Sequence, residues 1–339
     1  MKTYLVTGGS GFIGSNFIRF LLSKESNCHI LNLDKLTYAG NPANLKDIEN
    51  DKRYKFIKGD ICDEKIIRDI FINQKIDVVI NFAAETHVDR SIGSPDNFIK
   101  TDVFGVFRLL EASRNFGVDL FIQISTDEVY GSIQKGSFYE TDQLLPSSPY
   151  SASKAGGDRL AYSYYITYGL PVIITRASNN YGLFQYPEKL IPLFVTNAIE
   201  NRPLPVYGDG KNIRDWLFVL DHCSAVNFLI KNGERGQVYN IGGGNELENI
   251  EITRLILEKL NKSEDLIQFV EDRKGHDLRY SIDCSKLIKL GWKPQYSFSD
   301  ALENTIKWYQ SNENWWKPIK SGEFRSYYEN QYRISYESS

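Results

Sequence analysis

Two pairs of side chains in this sequence have the types and spacing that acid–base chemistry needs. Tyr150 and Lys154 stand four apart in Tyr150-Ser151-Ala152-Ser153-Lys154, so on a helix they share one face. An ammonium beside a phenol favours phenolate and lowers the tyrosine pKa from about 10 toward a useful value. Asp127 and Glu128 are adjacent, follow the hydroxyl of Thr126, and sit in Ile124-Ser125-Thr126-Asp127-Glu128-Val129-Tyr130-Gly131. Neighbouring carboxyls need not share an environment. One can stay protonated as a general acid while the other ionises and acts as a base. An exposed helical Tyr/Lys pair and a solvated acidic turn are the plain alternatives, and the surrounding pattern has to decide between them.

That pattern includes a phosphate-binding turn. Gly8, Gly11 and Gly14 form Gly-x-x-Gly-x-x-Gly between an apolar run and a helical one. Gly8 permits the tight turn, Gly11 lets a diphosphate approach the backbone, and Gly14 lets helix and strand pack closely. Asp34 closes the next apolar run, 20 residues after Gly14. A carboxylate there can accept from both ribose hydroxyls and repels a 2′-phosphate, so NAD is favoured over NADP. Asp60, in Gly59-Asp60-Ile61, and the pair Ala83-Ala84 end two further runs. Asp60 can reach an adenine amino group, and the alanines leave a cofactor room.

The elements that must position these residues alternate. Short apolar runs fall at 3–7, 29–34, 54–59, 78–84, 120–126 and 171–176, separated by helical patterns at 13–23, 64–73, 95–115 and 151–168. Continuous apolar runs fit strands buried on both faces. Repeated β-α alternation implies right-handed crossovers, and hence an α/β fold with a doubly wound parallel (Rossmann) sheet. After Arg176 the rhythm breaks. Residues 178–187 read as loop and 187–201 as helix. Strand candidates follow at 204–210 and 214–219, and helices at 221–231, 249–261 and 299–311. This second half reads as a smaller α/β lobe covering the open end of the sheet.

Composition limits the partners. Lys and Arg number 40 against 43 Asp and Glu, a formal charge of −3, which argues against a general nucleic-acid binder. Cys28, Cys62, Cys223 and Cys284 are scattered and read as reduced structural thiols. With no long uncharged apolar run and no leader-like N-terminus, a cytoplasmic protein without a membrane span is expected. Histidines are few and unclustered, so no metal is expected. His29 and His222 receive a structural reading. Nine aromatic residues between Trp308 and Tyr336 predict a C-terminus packed on the body.

Taken together, the motifs resemble the extended short-chain dehydrogenase/reductases that act on nucleotide sugars. Ser125–Gly131, Tyr150–Lys154, Glu85-Thr86-His87-Val88-Asp89-Arg90-Ser91, Arg176-Ala177-Ser178-Asn179-Asn180-Tyr181-Gly182 and Gly208–Trp216 are similar to the dTDP-glucose 4,6-dehydratase family. The adjacent Asp127 and Glu128 are that family's pattern, since sugar 4-epimerases carry small or hydroxyl residues there. The resemblance implies that Tyr150 takes the proton of the sugar 4-hydroxyl as hydride passes from C4 to a tightly bound NAD. Lys154 assists, Thr126 orients the hydroxyl, Glu128 removes the C5 proton, and Asp127 protonates the leaving C6 hydroxyl.

It further implies cofactor contacts from Phe12, Ile13, Asp34, Lys35, Thr37, Asp60, Ile61, Ala83, Ala84, Thr101 and Asn180. Substrate contacts are implied for Thr86, Asn179, Lys189, Leu190, Pro205, Val206, Tyr207, Arg214, Asn249, Arg273, His276 and Tyr280. Lys274 replaces the family's Pro in Arg273-Lys274-Gly275-His276-Asp277, and Asp102 replaces its Asn after Thr101. An NAD lobe of 1–176 with about 215–240, a nucleotide-sugar lobe of 177–214 with about 241–339, and a homodimer through 95–115 and 151–168 complete the expectation. A 4-epimerase, a decarboxylase and an inactive dinucleotide sensor are the alternatives.

Overall fold

Unbroken apolar runs form the strands of a parallel sheet because both sheet faces are covered. The computed structural model describes residues 1–272, 277–321 and 323–333. Its first half contains β1 (Lys2–Thr7), α1 (Phe12–Lys24), β2 (Cys28–Asp34), β3 (Tyr54–Lys58), α2 (Glu64–Asn73) and β4 (Val78–Asn81). There follow α3 (Val88–Gly93), α4 (Pro95–Ile99), α5 (Val106–Phe116), β5 (Leu120–Thr126), α6 (Pro149–Tyr168) and β6 (Val172–Ala177). Along the strands successive side chains enter opposite cores. Tyr4, Val6, Ile30, Val78, Ile80 and Ile122 pack on one face, and Leu5, Leu31, Leu33, Val79, Phe121 and Ile174 on the other.

The second half contains β7 (Asn179–Tyr181), α7 (Leu190–Ile199), β8 (Leu204–Tyr207), β9 (Ile213–Phe218), α8 (Val219–Asn232), β10 (Val238–Ile241) and β11 (Glu246–Glu248). After these come α9 (Asn249–Leu260), β12 (Ile267–Val270), α10 (Ser285–Leu290), α11 (Phe298–Ser311), α12 (Glu313–Ile319) and α13 (Glu323–Tyr332). Among the described residues the main sheet runs β3-β2-β1-β4-β5-β6-β10, all parallel. The order reverses between β1 and β4. The C-terminal ends of these two strands open the crevice where such sheets bind ligands. A sheet of β11-β9-β7 and the parallel pair β12-β8 build the other side of the site.

Four expectations are corrected. The run 78–84 leaves the sheet after Asn81, because Ala83 must pass directly beneath Gly8, where a Cβ would lie 2.6 Å from the Ala83 nitrogen. The helix expected over 95–115 is interrupted by a π-helical turn, Lys100–Gly105. Asn179–Tyr181, read as loop, is a strand paired with β9. Val238–Ile241, not marked as a strand, is the edge of the main sheet.

The aromatic C-terminus packs on the body through Arg333. Trp316, Tyr309, Phe324 and Tyr328 are buried in the main core. Tyr336 lies outside the described residues.

Candidate active site

Local rules explain why the site residues face one another. Ser148 caps α6 by accepting from the Ser151 N–H at 3.1 Å in a capping box, with Pro149 in the first turn. Tyr150 therefore sits in the first turn and Lys154 one turn on. Thr126, the last residue of β5, caps a 3₁₀ turn that carries Asp127 and Glu128. Strand end and helix start thus point both pairs into one cleft.

That cleft is lined by every residue the motifs nominated for a dinucleotide. These are Gly8, Gly11, Phe12, Ile13, Gly14, Asp34, Lys35, Thr37, Asp60, Ile61, Ala83, Ala84, Thr101, Tyr150, Lys154 and Asn180. Gly8 has φ +66°. A Cβ on Gly14 would lie 2.4 Å from the Gly8 carbonyl oxygen. Gly11 is the N-cap of α1, and the first turn carries no acidic residue. This leaves a positive helix end open to a diphosphate. Asp34 accepts from the Ser10 and Leu36 N–H groups at 2.9 and 2.8 Å. A carboxylate has about four acceptor positions, so two ribose hydroxyls can still bind. Burial raises its pKa against those two hydrogen bonds. Lys35 reaches Asp60 at 2.8 Å, so Asp60 is paired before any adenine arrives. The donor set and the glycine cradle fit a dinucleotide.

At the inner end, Asp127 is 3% exposed. Its Oδ1 accepts from the Thr126 hydroxyl at 3.1 Å, and Oδ2 is buried with no hydrogen-bond partner among the described residues. Burial, followed by the charges of Glu128 and Asp215, pushes this carboxyl up to about 8. It is therefore mostly protonated at neutral pH. Glu128 is half-buried and lines both this cleft and a second one beside it. Two adjacent carboxyls thus occupy different environments.

Tyr150 departs from the expectation of a lowered phenol. Burial, then Glu128 and Asp102, push it well above its ordinary value, with the Thr126 hydroxyl working the other way. Lys154 donates instead to the Ile124 carbonyl at 2.8 Å. Its own pKa is lowered by burial, against the charges of Asp102 and Asp158.

The second cleft gathers Asn179, Lys189, Leu190, Pro205, Val206, Tyr207, Arg214, Asn249 and Tyr280. Thr86 lines the first cleft, and its carbonyl accepts from Lys189 at 2.6 Å. The Arg214 guanidinium lies 4.5 Å over the Tyr280 ring. It donates to the carbonyls of Ile213 and Asp277 at 2.7 and 2.9 Å. Arg273 and His276 lie outside the described residues.

Several wall residues were not foreseen. His222 lines the first cleft, is fully buried, and meets the Asn180 side-chain oxygen at 2.9 Å. Burial lowers its pKa to about 4, so it is neutral. Glu188, Trp216 and Tyr332 join the second cleft. Tyr332 comes from α13 and packs at a tilt against Tyr207, 5.5 Å between ring centres. Hydrophobic periodicity foretells that a terminal helix docks, but not where.

Comparison with known proteins gives a consistent set of likenesses. A family model described as GDP-mannose 4,6 dehydratase matches residues 5–305. The dTDP-glucose 4,6-dehydratase of Streptomyces niveus is 48% identical over 322 residues, covering 94% of this chain and 95% of the relative. A dTDP-glucose 4,6-dehydratase from Streptomyces venezuelae, crystallised with NAD bound, is 48% identical with a TM-score of 0.91. The match covers 94% of this chain and 100% of that one. The UDP-glucose 4-epimerase of Thermus thermophilus, in complex with NAD, is 28% identical with a TM-score of 0.85, over 91% of this chain and 99% of that one.

Proposed function

This chain belongs to the nucleotide-sugar 4,6-dehydratase family of the extended short-chain dehydrogenase/reductases, and we propose that it is an NAD-dependent hydro-lyase acting on dTDP-glucose. The product is dTDP-4-keto-6-deoxyglucose. NAD bound in the first cleft supplies a hydride acceptor that is regenerated each turnover, and its oxidised ring, being cationic, favours the Tyr150 phenolate.

The protein's own groups do the proton work. Tyr150 takes the proton of the 4-hydroxyl, which Thr126 orients, and Lys154 holds the nicotinamide ribose. The 4-ketone acidifies the C5 proton, which Glu128 removes. Asp127 gives its proton to the C6 hydroxyl, which leaves as water. As the hydride returns to C6, Glu128 gives its proton back to C5, and the proton that Tyr150 took from the 4-hydroxyl passes through the site to replace the one Asp127 lost with the water, so all three groups are reset.

The observation that carries this reading is the Asp127 carboxyl, 3% exposed with Oδ2 lacking a hydrogen-bond partner among the described residues, beside a half-buried Glu128; this burial favours the protonated acid. An epimerase, which expels no water, has no use for a protonated carboxyl at that place. The diphosphate and base are assigned to the second cleft, with Arg214 as the diphosphate clamp because a guanidinium fork suits phosphate oxygens. Thr86, Asn179, Lys189, Leu190, Pro205, Val206, Tyr207, Asn249 and Tyr280 contribute the remaining contacts.

The cofactor lobe comprises 1–176 with about 215–240, and the sugar-nucleotide lobe the remainder. A homodimer forms through α4–α6, where Ile99, Phe104, Tyr162 and Ile166 are exposed. The enzyme works in the cytoplasm, and no described helix is long and apolar enough to cross a membrane. Incubation with dTDP-glucose followed by mass spectrometry tests the function. Loss of one water supports it, while an unchanged mass with inversion at C4 replaces it with epimerisation.

A further inference from the structure

One buried network ties the two catalytic segments together, and none of its members touches either cleft. Arg176, next to last in β6, is 1% exposed. Its Nε and Nη2 donate to the two carboxylate oxygens of Asp158 at 2.8 and 3.1 Å. Asp158 lies on α6, one turn beyond Lys154 and two beyond Tyr150. Arg176 Nη1 donates to the Tyr130 hydroxyl at 2.7 Å, and that hydroxyl donates to Asn240 Oδ1 at 2.8 Å. Tyr130 closes the 3₁₀ turn that begins with Asp127 and Glu128. Sheet register makes the bridge rigid, because Arg176 pairs with Ser125 on β5 and with Asn240 on β10.

A buried ion pair is weak evidence of stabilisation, since desolvation offsets much of the attraction. Its effect here is geometric. A planar guanidinium forks between the helix, through Asp158, and the turn, through the Tyr130 hydroxyl. We propose that Arg176 is a positioning residue. Through Asp158 and Tyr130 it sets the distance between the Tyr150/Lys154 helix and the Asp127/Glu128 turn, so that C4 oxidation and water elimination act on one seated sugar. The inference rests on the dehydratase reading and deepens it.

The test uses Y130F and R176K in the full-length, NAD-loaded protein. Y130F removes one oxygen and leaves the ring stacked on Phe138, now 5.1 Å between ring centres. R176K keeps a charge but cannot span Asp158 and Tyr130 together. Single turnovers with dTDP-glucose are followed by absorbance of the reduced nicotinamide and by rapid-quench mass spectrometry. Thermal midpoints are recorded in parallel.

In both variants oxidation should stay within about threefold of the unsubstituted enzyme while elimination slows about tenfold or more, as expected for a misplaced acid–base pair. A 4-keto sugar nucleotide still carrying its 6-hydroxyl should then accumulate. Equal slowing of both steps with a lowered midpoint would reduce Arg176 to a structural role and overturn the proposal. So would unchanged partition, or an R176K that behaves normally while Y130F does not. If the unsubstituted enzyme itself fails to remove water, the dehydratase reading falls instead.

Discussion

Replacing Asp127 by Asn should stabilise the protein while disabling elimination, and the size of the effect follows from burial. The carboxyl moves from 3.8 to about 8 on folding. Between those values the folded chain holds a proton that the unfolded chain releases. Stability from this group is therefore lost as pH rises, by about 1.4 kcal/mol per pH unit. An amide of the same shape cannot ionise and escapes that loss. The stability difference between D127N and the unsubstituted protein should grow by about 3 kcal/mol from pH 5 to pH 7. Urea unfolding at several pH values, followed by tryptophan fluorescence, measures it. Water elimination should fall by about 10²–10⁴-fold with C4 oxidation spared. Parallel stability curves for the two proteins would refute the raised carboxyl, and equal loss of oxidation and elimination would refute its role as the acid.

Three other outcomes follow from the same structure. In the unsubstituted enzyme the elimination step should weaken as pH rises through about 8, where Asp127 loses its proton, and stopped-flow rates across pH 6–9.5 (about 0.5-unit steps) read this limb. Gly14→Ala should cut NAD binding at least about tenfold in a fluorescence titration, because its Cβ meets the Gly8 carbonyl at 2.4 Å and displaces the diphosphate turn. Trp316→Ala should cost about 3–5 kcal/mol in denaturant unfolding, because Trp316 is fully buried and donates from its indole to the Tyr309 carbonyl at 2.8 Å.

What could be read from the sequence was what local pattern controls. The five inner strands of the main sheet, β1, β2, β4, β5 and β6, are rich in apolar residues, and the glycine turn and the capped Tyr150–Lys154 helix are signals contained within a few residues. β7, β11 and the edge strand β10 were missed because three or four residues give no periodicity to count. The π turn at Lys100–Gly105 was missed because its residues still fit a helical face. The candidate site was legible in its residues but not in its electrostatics. Nothing in Tyr150-x-x-x-Lys154 says that Lys154 turns to the Ile124 carbonyl, or that Asp102 and Glu128 face the phenol. His222 shows the same limit, since a lone histidine reads as structural until α8 sets it behind Asn180. Tyr332 reaches the second cleft only because the aromatic C-terminus docks there.

The central claim is that the hydrogen taken from C4 is returned to C6 of the same sugar as water leaves. It is tested most directly with dTDP-glucose carrying deuterium at C4. The account predicts a product lighter by one water with the deuterium on its new C6 methyl group. Deuterium retained at C4 in a product of unchanged mass, or lost to solvent, would contradict it.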